Sequence, residues 1–355
     1  MKRMLLLLTL FSLGAHAQVT NSIVRMPRTM AMGGAGLALA DDEYALFQNA
    51  AGLASQTSRR FRVLGLTLEA SQDTYSTFGS SLSAFSNFNL STLNTLMGKD
   101  IFIRAGVLPM ITLPHFSIAY LADVQGAINQ FNQANPSFLF GEQITHGVQA
   151  GFGWSLGKSR RASDEVHFGL TAKVLWRKGG YYDISTAGFL QATSNGKSYI
   201  DNLVGGFGMG FGADAGFQYI NHLDKKTSLY FGASATDVGG TKFSDPHAQS
   251  IPMNLGFGIG AKKELDALTL KFDADLRNLS QDTSFVNKTH VGAELSLAIL
   301  DFYFGLNQMN LTYGASFDLW ILKISAVSDC EELGVTYRQL PSRRYILQAD
   351  FSLPI

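Results

Sequence analysis

Histidine is the side chain best suited to moving protons or holding zinc near neutral pH. Beyond residue 17 the histidines are His115, His146, His167, His222, His247 and His290. No two stand in a His-x3-His or His-Glu-x2-His arrangement, the spacing that sets two imidazoles on one helix face for zinc, so the sequence offers no metal site. Neither a G-x-S-x-G nucleophile elbow nor a phosphate loop occurs. The glycine groups Gly205-Gly206-Phe207-Gly208 and Gly256-Phe257-Gly258 lie in alternating segments rather than before a helix, which argues against a nucleotide site. Alternation places His167 and Asp214 on polar strand faces, where a Ser, a His and a carboxylate from separate strands could meet, but polar residues are expected there in any half-polar strand. Cys330 is the only cysteine, so no internal disulfide can form. These residue types predict no enzyme, no cofactor and no metal.

Apolar side chains in otherwise polar connections carry more information. Residues 126–140, GAINQFNQANPSFLF, are read as part of a surface loop holding Phe131, Phe138 and Phe140, and residues 82–97 could form a helix with an interrupted apolar face. Either these loops pack on one another as a cap, or they form a greasy groove that catches an amphipathic ligand. Phe131, Phe138 and Phe140 are the candidate ligand-binding residues of the second reading.

The elements that would position them are strands. Residues 1–17 read as a cleavable signal peptide, with Lys2 and Arg3 ahead of the apolar run Leu5–Leu13 and an Ala15-His16-Ala17 cleavage site, so the protein is expected to be exported. Charge is balanced at 28 basic and 28 acidic residues, which gives no basic surplus for nucleic acid. Charged residues make up only 16% of the chain, below the roughly 25% of soluble domains. No later stretch reaches 18 consecutive apolar residues, so membrane helices are not expected. Instead the chain alternates. In Leu268–Leu276 one face carries Thr269, Lys271, Asp273 and Asp275 while the other is wholly apolar. Val166–Val174 and Phe207–Tyr219 alternate likewise. About fourteen such segments occur, at approximately 61–70, 101–111, 115–124, 145–156, 165–177, 203–220, 227–239, 251–262, 267–277, 288–299, 301–308, 311–318, 320–334 and 344–353. An even number of antiparallel strands with apolar and polar faces fits an outer-membrane β-barrel with lipid outside and a polar lumen inside. Long connections are expected at one end, including 71–100, 125–144 and 178–202, and short turns at the other.

Ahead of the strands stands Ala31–Ala54, AMGGAGLALADDEYALFQNAAGLA, dense in small residues. Gly33, Gly34 and Gly36 permit positive φ and close backbone approach. Asp41 is expected as a helix N-cap, with Asp42 and Glu43 in the first turn. A compact non-strand segment before a strand array points to a plug inside a barrel. The expected division is signal peptide 1–17, plug 18–58 and barrel 59–355.

This stretch resembles the N-terminal signature of the long-chain fatty-acid transporter (FadL) superfamily, which includes PorV-like, TraF-like and UPF0164-like outer-membrane barrels. The resemblance rests on Met32-Gly33-Gly34-Ala35-Gly36, Asp41-Asp42 and Asn49-x-Ala51-Gly52-Leu53, and it departs at Ala50, where the family has a proline that would rigidify the turn. The closing strand Tyr345–Leu353 resembles the terminal signal read by outer-membrane assembly machinery. The family implies a transmembrane antiparallel β-barrel of fourteen strands in the Gram-negative outer membrane, in contact with its lipid and monomeric. It implies uptake of hydrophobic or amphipathic small molecules such as fatty acids, with Gly33, Gly34, Gly36, Asn49, Ala51, Gly52 and Leu53 as plug or gate. The alternative it carries is a PorV-like or TraF-like barrel that docks secretion-system or surface proteins.

Overall fold

The computed structural model describes residues 23–77, 98–130, 138–156, 164–185, 188, 199–334 and 336–355, with only the backbone described at 130 and 138. The signal peptide, the 82–97 helix and Phe131 lie outside the described residues.

Fourteen antiparallel strands close into a barrel. They are β1 (Arg60–Ser71), β2 in two halves (Asp100–Val107 and Met110–Leu113), β3 (Phe116–Gln130), β4 (Phe138–Leu156), β5 (Asp164–Ile184), β6 (Gly208–His222) and β7 (Thr227–Thr236). The remainder are β8 (Asn254–Glu264), β9 (Thr269–Leu276), β10 (Thr289–Leu297), β11 (Leu300–Asn307), β12 (Asn310–Asp318), β13 (Leu322–Glu332) and β14 (Pro341–Pro354). Each strand pairs with its sequence neighbours, and β14 closes on β1 from Arg60↔Pro354 to Ser71↔Arg344. Closure leaves no unpaired edge, the condition a sheet must meet in hydrocarbon, where water cannot satisfy the backbone.

Several boundaries differ from the sequence reading. β3 runs to Gln130 and β4 starts at Phe138, so Phe138 and Phe140 belong to a strand and not to the expected 125–144 loop. β5 extends to Ile184, and 199–204 is helical where strand was expected from 203. These strands continue beyond the expected lipid-spanning length because their outer ends are still paired with one another. The long connections do fall at the end opposite the C-terminus. The exception there is the two-residue turn Gln308–Met309, with φ of 53° and 64°, the conformation of a tight hairpin.

The alternation sorts as expected. Phe272 on β9 is 55% exposed on the outside, whereas Lys271 ion-pairs within the lumen with Asp41 and Glu294. Leu68, Phe211, Phe257, Ile259, Phe304 and Leu347 continue the apolar exterior, while Glu69, Lys173, His167, Asp214, Asp273 and Gln348 are buried inside. That is the surface of a transmembrane barrel: lipid replaces water as the outer solvent.

The lumen is not open. The segment from Ile23 onward lies within it, with Met32, Ala35, Ala38, Leu39 and Leu53 at or near zero exposure. Its elements are α1 (Pro27–Ala31), α2 (Ala45–Gln48) and a 3-10 turn, Ala50–Ser55. It seats against glycines that face inward from the strands. A β-carbon on Gly232 would stand 2.8 Å from the Ala38 α-carbon, and one on Gly260 2.8 Å from the Leu39 side chain. β-Carbons on Gly169, Gly292 and Gly305 would overlap the backbone of Ala50 or Met32.

This register makes a direct prediction. Phe272→Arg puts a charge against lipid, at a cost of about 2–4 kcal/mol near the bilayer midplane, whereas Thr269→Arg places it on the wet face. Assembly into lipid vesicles, followed by heat-modifiable gel mobility, should fall sharply for the first variant and little for the second. Equal yields would contradict the register.

Candidate functional site

The site is built from the N-terminal segment and the wall it touches. Gly33, Gly34 and Gly36 adopt φ of 70°, 82° and 132°, a region closed to most side chains. A β-carbon would also bring Gly33 to 2.5 Å from the Leu306 backbone and Gly34 to 2.6 Å from the His290 ring. These glycines turn the chain so that its amides point at the wall. The N–H groups of Gly36 and Leu37 donate to Asp275 Oδ2 at 3.0 and 2.9 Å, and that of Leu39 donates to Asp273 Oδ2 at 2.9 Å. Carbonyls are met in turn: Gln218 donates to Ala38 O at 2.7 Å, Gln149 to Leu46 O at 2.9 Å and Thr312 to Ala31 O at 2.9 Å. The backbone of the segment, which has no sheet of its own, is thus satisfied by strand side chains.

Asn49 ties both ends of this path. Its Nδ2 donates to Leu37 O at 3.0 Å and to Phe217 O of β6 at 3.1 Å, while its Oδ1 accepts from Ala51 N. It therefore caps the 3-10 turn that contains Ala51, Gly52 and Leu53, all buried. Gly52 is required because a β-carbon there would overlap Ala40 O. Ala50 is the first residue of that turn, a place where proline fits without losing a bond.

Asp41 does not cap a helix. The cap position of α2 is Tyr44, whose N–H donates to Asp42 Oδ1. Asp41 instead bridges Arg28 at 2.7 Å and Lys271 at 2.9 Å, and both cations also reach Glu294, at 2.6 and 3.3 Å. Burial opposes charge on Asp41, yet the two cations hold its carboxyl well below the usual carboxylate range. Tertiary pairing outcompeted the local cap. Toward the opposite end Arg25 pairs with Glu69 at 2.9 Å and Arg104 with Asp123 at 2.6 Å.

Among these charges lie apolar contacts: Tyr303, Val327 and Ile346 meet Met30, Ala31 and Met32, Ile220 and Tyr230 meet Ala38 and Leu39, and a further patch lies at β2 and β3. Leu108, Met110, Ala119 and Leu121 face inward from β2 and β3 and pack with Val24 and Met26 of the segment. Beside it the wall is irregular. The β1–β14 register shifts between Arg62 and Leu64, and β2 is interrupted at Leu108–Pro109, where one backbone bond, Leu108 N to Gly65 O, spans the gap to β1. Proline lacks the N–H that a ladder needs and is otherwise restricted to edges and bulges. A small pocket of about 20 Å³ opens there, lined by Ile23, Val24, Leu108 and Leu121. It shares Ile23, Val24 and Arg25 with a lumen cavity of about 180 Å³ toward the far end. On the outer face a groove of about 1,320 Å³ crosses β13, β14 and β1–β4, with Ala70, Ala105, Gly126 and Ala326 among its lining and Tyr313, Tyr345 and Leu347 at one side.

Of the sequence-derived ligand residues, Phe140 is buried with Ile101, Ile128, Ile184 and Val204, beneath the 199–204 turn. Phe138 opens β4 and its side chain is not described, and Phe131 lies outside the described residues. The structure does not bring Phe140 to the lumen cavity. The inward patch at Leu108 and Leu121 was missed, although Leu108 beside the strand-interrupting Pro109 is visible in the sequence.

No family model matches this chain, and no curated protein does. Solved structures with a similar chain path include the Ralstonia pickettii toluene transporter TbuX, at 13% identity over 95% of this chain and 100% of that one, with a TM-score of 0.49. The Pseudomonas putida toluene transporter TodX matches at 12% identity over 92% and 97%, with a TM-score of 0.45. A Pseudomonas aeruginosa FadL homologue matches at 12% over 95% and 98%, with a TM-score of 0.27. The fold itself stands on the strand ladder.

Seating by carboxylates is testable. Asp275→Ala strands two buried amides, at about 1–3 kcal/mol each, whereas Asp275→Asn keeps an acceptor. Denaturant midpoints in detergent should fall for the alanine variant, and protease should cut the N-terminal segment faster, with asparagine recovering most of both. Unchanged values for alanine would remove the carboxylate from the account.

Proposed function

We propose that this chain is an outer-membrane uptake channel for hydrophobic or amphipathic small molecules, fatty acids among the candidates. The observation that carries the reading is the apolar patch of Leu108, Met110, Ala119 and Leu121, an inward apolar contact that lies beside the wall interruption. A hydrophobic solute gains roughly 25 cal/mol per Å² where it leaves water, so it would follow this patch rather than the ionic surfaces. The filled lumen excludes a free aqueous channel. In the proposed path the solute enters the far-end cavity, passes Val24 and Met26, and leaves through the interrupted wall near Pro109 into lipid. Phe131, Phe138 and Phe140 are proposed for capture at the far rim. Gly33, Gly34, Gly36, Asn49, Ala51, Gly52 and Leu53 are proposed to hold the segment whose small displacement opens the path. No chemical step is required, and the reading is not that of an enzyme.

Uptake of a fluorescent fatty acid into vesicles holding the protein tests this. Leu108→Asn with Leu121→Asn should lower the rate at least tenfold while circular dichroism and gel mobility stay those of the folded barrel, and serine at Phe131, Phe138 and Phe140 should slow capture. Unmodified protein that neither binds nor passes such solutes would sink the transport reading and leave a docking role for secretion or surface proteins.

A further inference from the structure

The groove of about 1,320 Å³ on the outer face is far larger than the lumen cavity of about 180 Å³. It runs from Tyr313 on β12 across β13, β14, β1, β2 and β3 to Ile144 on β4. Its sides are lipid-facing residues, among them Leu68, Val124, Tyr345 and Leu347, all exposed. Ala105 and Ala326, also exposed, keep its floor low, and the short helix Gln72–Ser76 and Ile200 line its far end. Water is a poor filler for an apolar groove, and an empty one would forfeit the contacts of its lining. The groove is continuous with the exterior that hydrocarbon covers, so acyl chains are its natural contents.

One charge marks where a head group would lie. Arg344 turns into the lumen to meet Glu69, so its neighbour Arg343 turns outward. The Arg343 guanidinium donates to Ser328 Oγ at 2.8 Å and to Leu311 O at 3.2 Å, which ties β14 to β13 and β12. Both acceptors are neutral, and among the described residues no carboxylate pairs with Arg343. Two of the five guanidinium N–H groups are spent, leaving the rest for an anion, and this planar fork suits phosphate. Ser328 and Tyr345 line the groove, so the cation stands at its edge. Glu69 and Arg104 also border it but turn inward to Arg25 and Asp123, while Glu142 lies on β4 with β1, β2 and β3 between it and β14. We infer that this groove holds one phosphate-bearing membrane lipid, its phosphate on Arg343 and its acyl chains across Ala105 and Ala326. This goes beyond the uptake reading and does not rest on it, since it needs only the lipid-facing fold.

Native mass spectrometry of the full chain in maltoside micelles tests it, with dioleoyl phosphatidylglycerol or dioleoylglycerol added; the second has the same chains and no phosphate. The chain should retain one phosphatidylglycerol, about tenfold more of it than of the diacylglycerol, the effect of a charge-assisted pair. Arg343→Met should remove that preference and leave diacylglycerol retention unchanged. Ala105→Phe with Ala326→Phe fills the floor from the lipid side and should lower retention of both lipids, with gel mobility still that of the folded barrel. Equal retention of the two lipids, a preference that survives Arg343→Met, or unchanged retention in the double phenylalanine variant would each overturn the inference. Displacement of phosphatidylglycerol by inorganic phosphate would overturn it too, by making this a site for a free anion. Release of a two-chain species without lipid would make the groove an interface between copies and overturn it as well. None of these results bears on hydrophobic uptake, which the vesicle assay decides separately.

Discussion

Everything in this molecule depends on how closely a backbone without a sheet of its own can approach the inner wall of a barrel. The wall offers glycines at Gly232, Gly260, Gly292 and Gly305, and the segment from Met32 to Leu39 answers with its own small residues. Close approach would be costly if it buried amides without partners. Asp273 and Asp275 remove that cost by accepting the amides of Gly36, Leu37 and Leu39. Steric fit and hydrogen bonding therefore reinforce each other at one contact, and the lumen is filled rather than open.

Within a filled lumen, the apolar contact at Leu108 and Leu121 is set apart by lying beside the wall interruption. Arg28, Lys271, Asp41 and Glu294 form a closed ionic ring, and truncating one member would leave others buried without partners. Such a region resists rearrangement. The contact of Leu108 and Leu121 with Val24 and Met26 has no comparable directionality, since apolar packing is non-specific in orientation. It lies beside a strand that has lost ladder bonds at Pro109. Movement is thus easiest where apolar packing meets the interrupted strand.

Much of this was legible in the chain. Thr269, Lys271, Asp273 and Asp275 alternate with apolar neighbours, and period-two patterning decides which face meets lipid irrespective of tertiary detail. Gly33, Gly34 and Gly36 announced positive φ and tight packing, and both are present. Asp41 was misread because an aspartate ahead of a short helix satisfies a local rule, while its partners Arg28 and Lys271 come from a preceding helix and a strand over two hundred residues later. Phe138 and Phe140 were taken for loop residues because β3 and β4 continue past the length a bilayer needs. The strand glycines could be counted but not assigned, since which of them face the segment depends on barrel closure.

The most direct measurement is amide hydrogen exchange across Gly36–Leu39 in nanodiscs. If the segment is held by Asp273 and Asp275 within the lumen, these amides should exchange as slowly as those of β9 and β10, near the global unfolding limit. Exchange at the rate of a solvated loop, with the strands still protected, would contradict a seated segment and the filled lumen that follows from it.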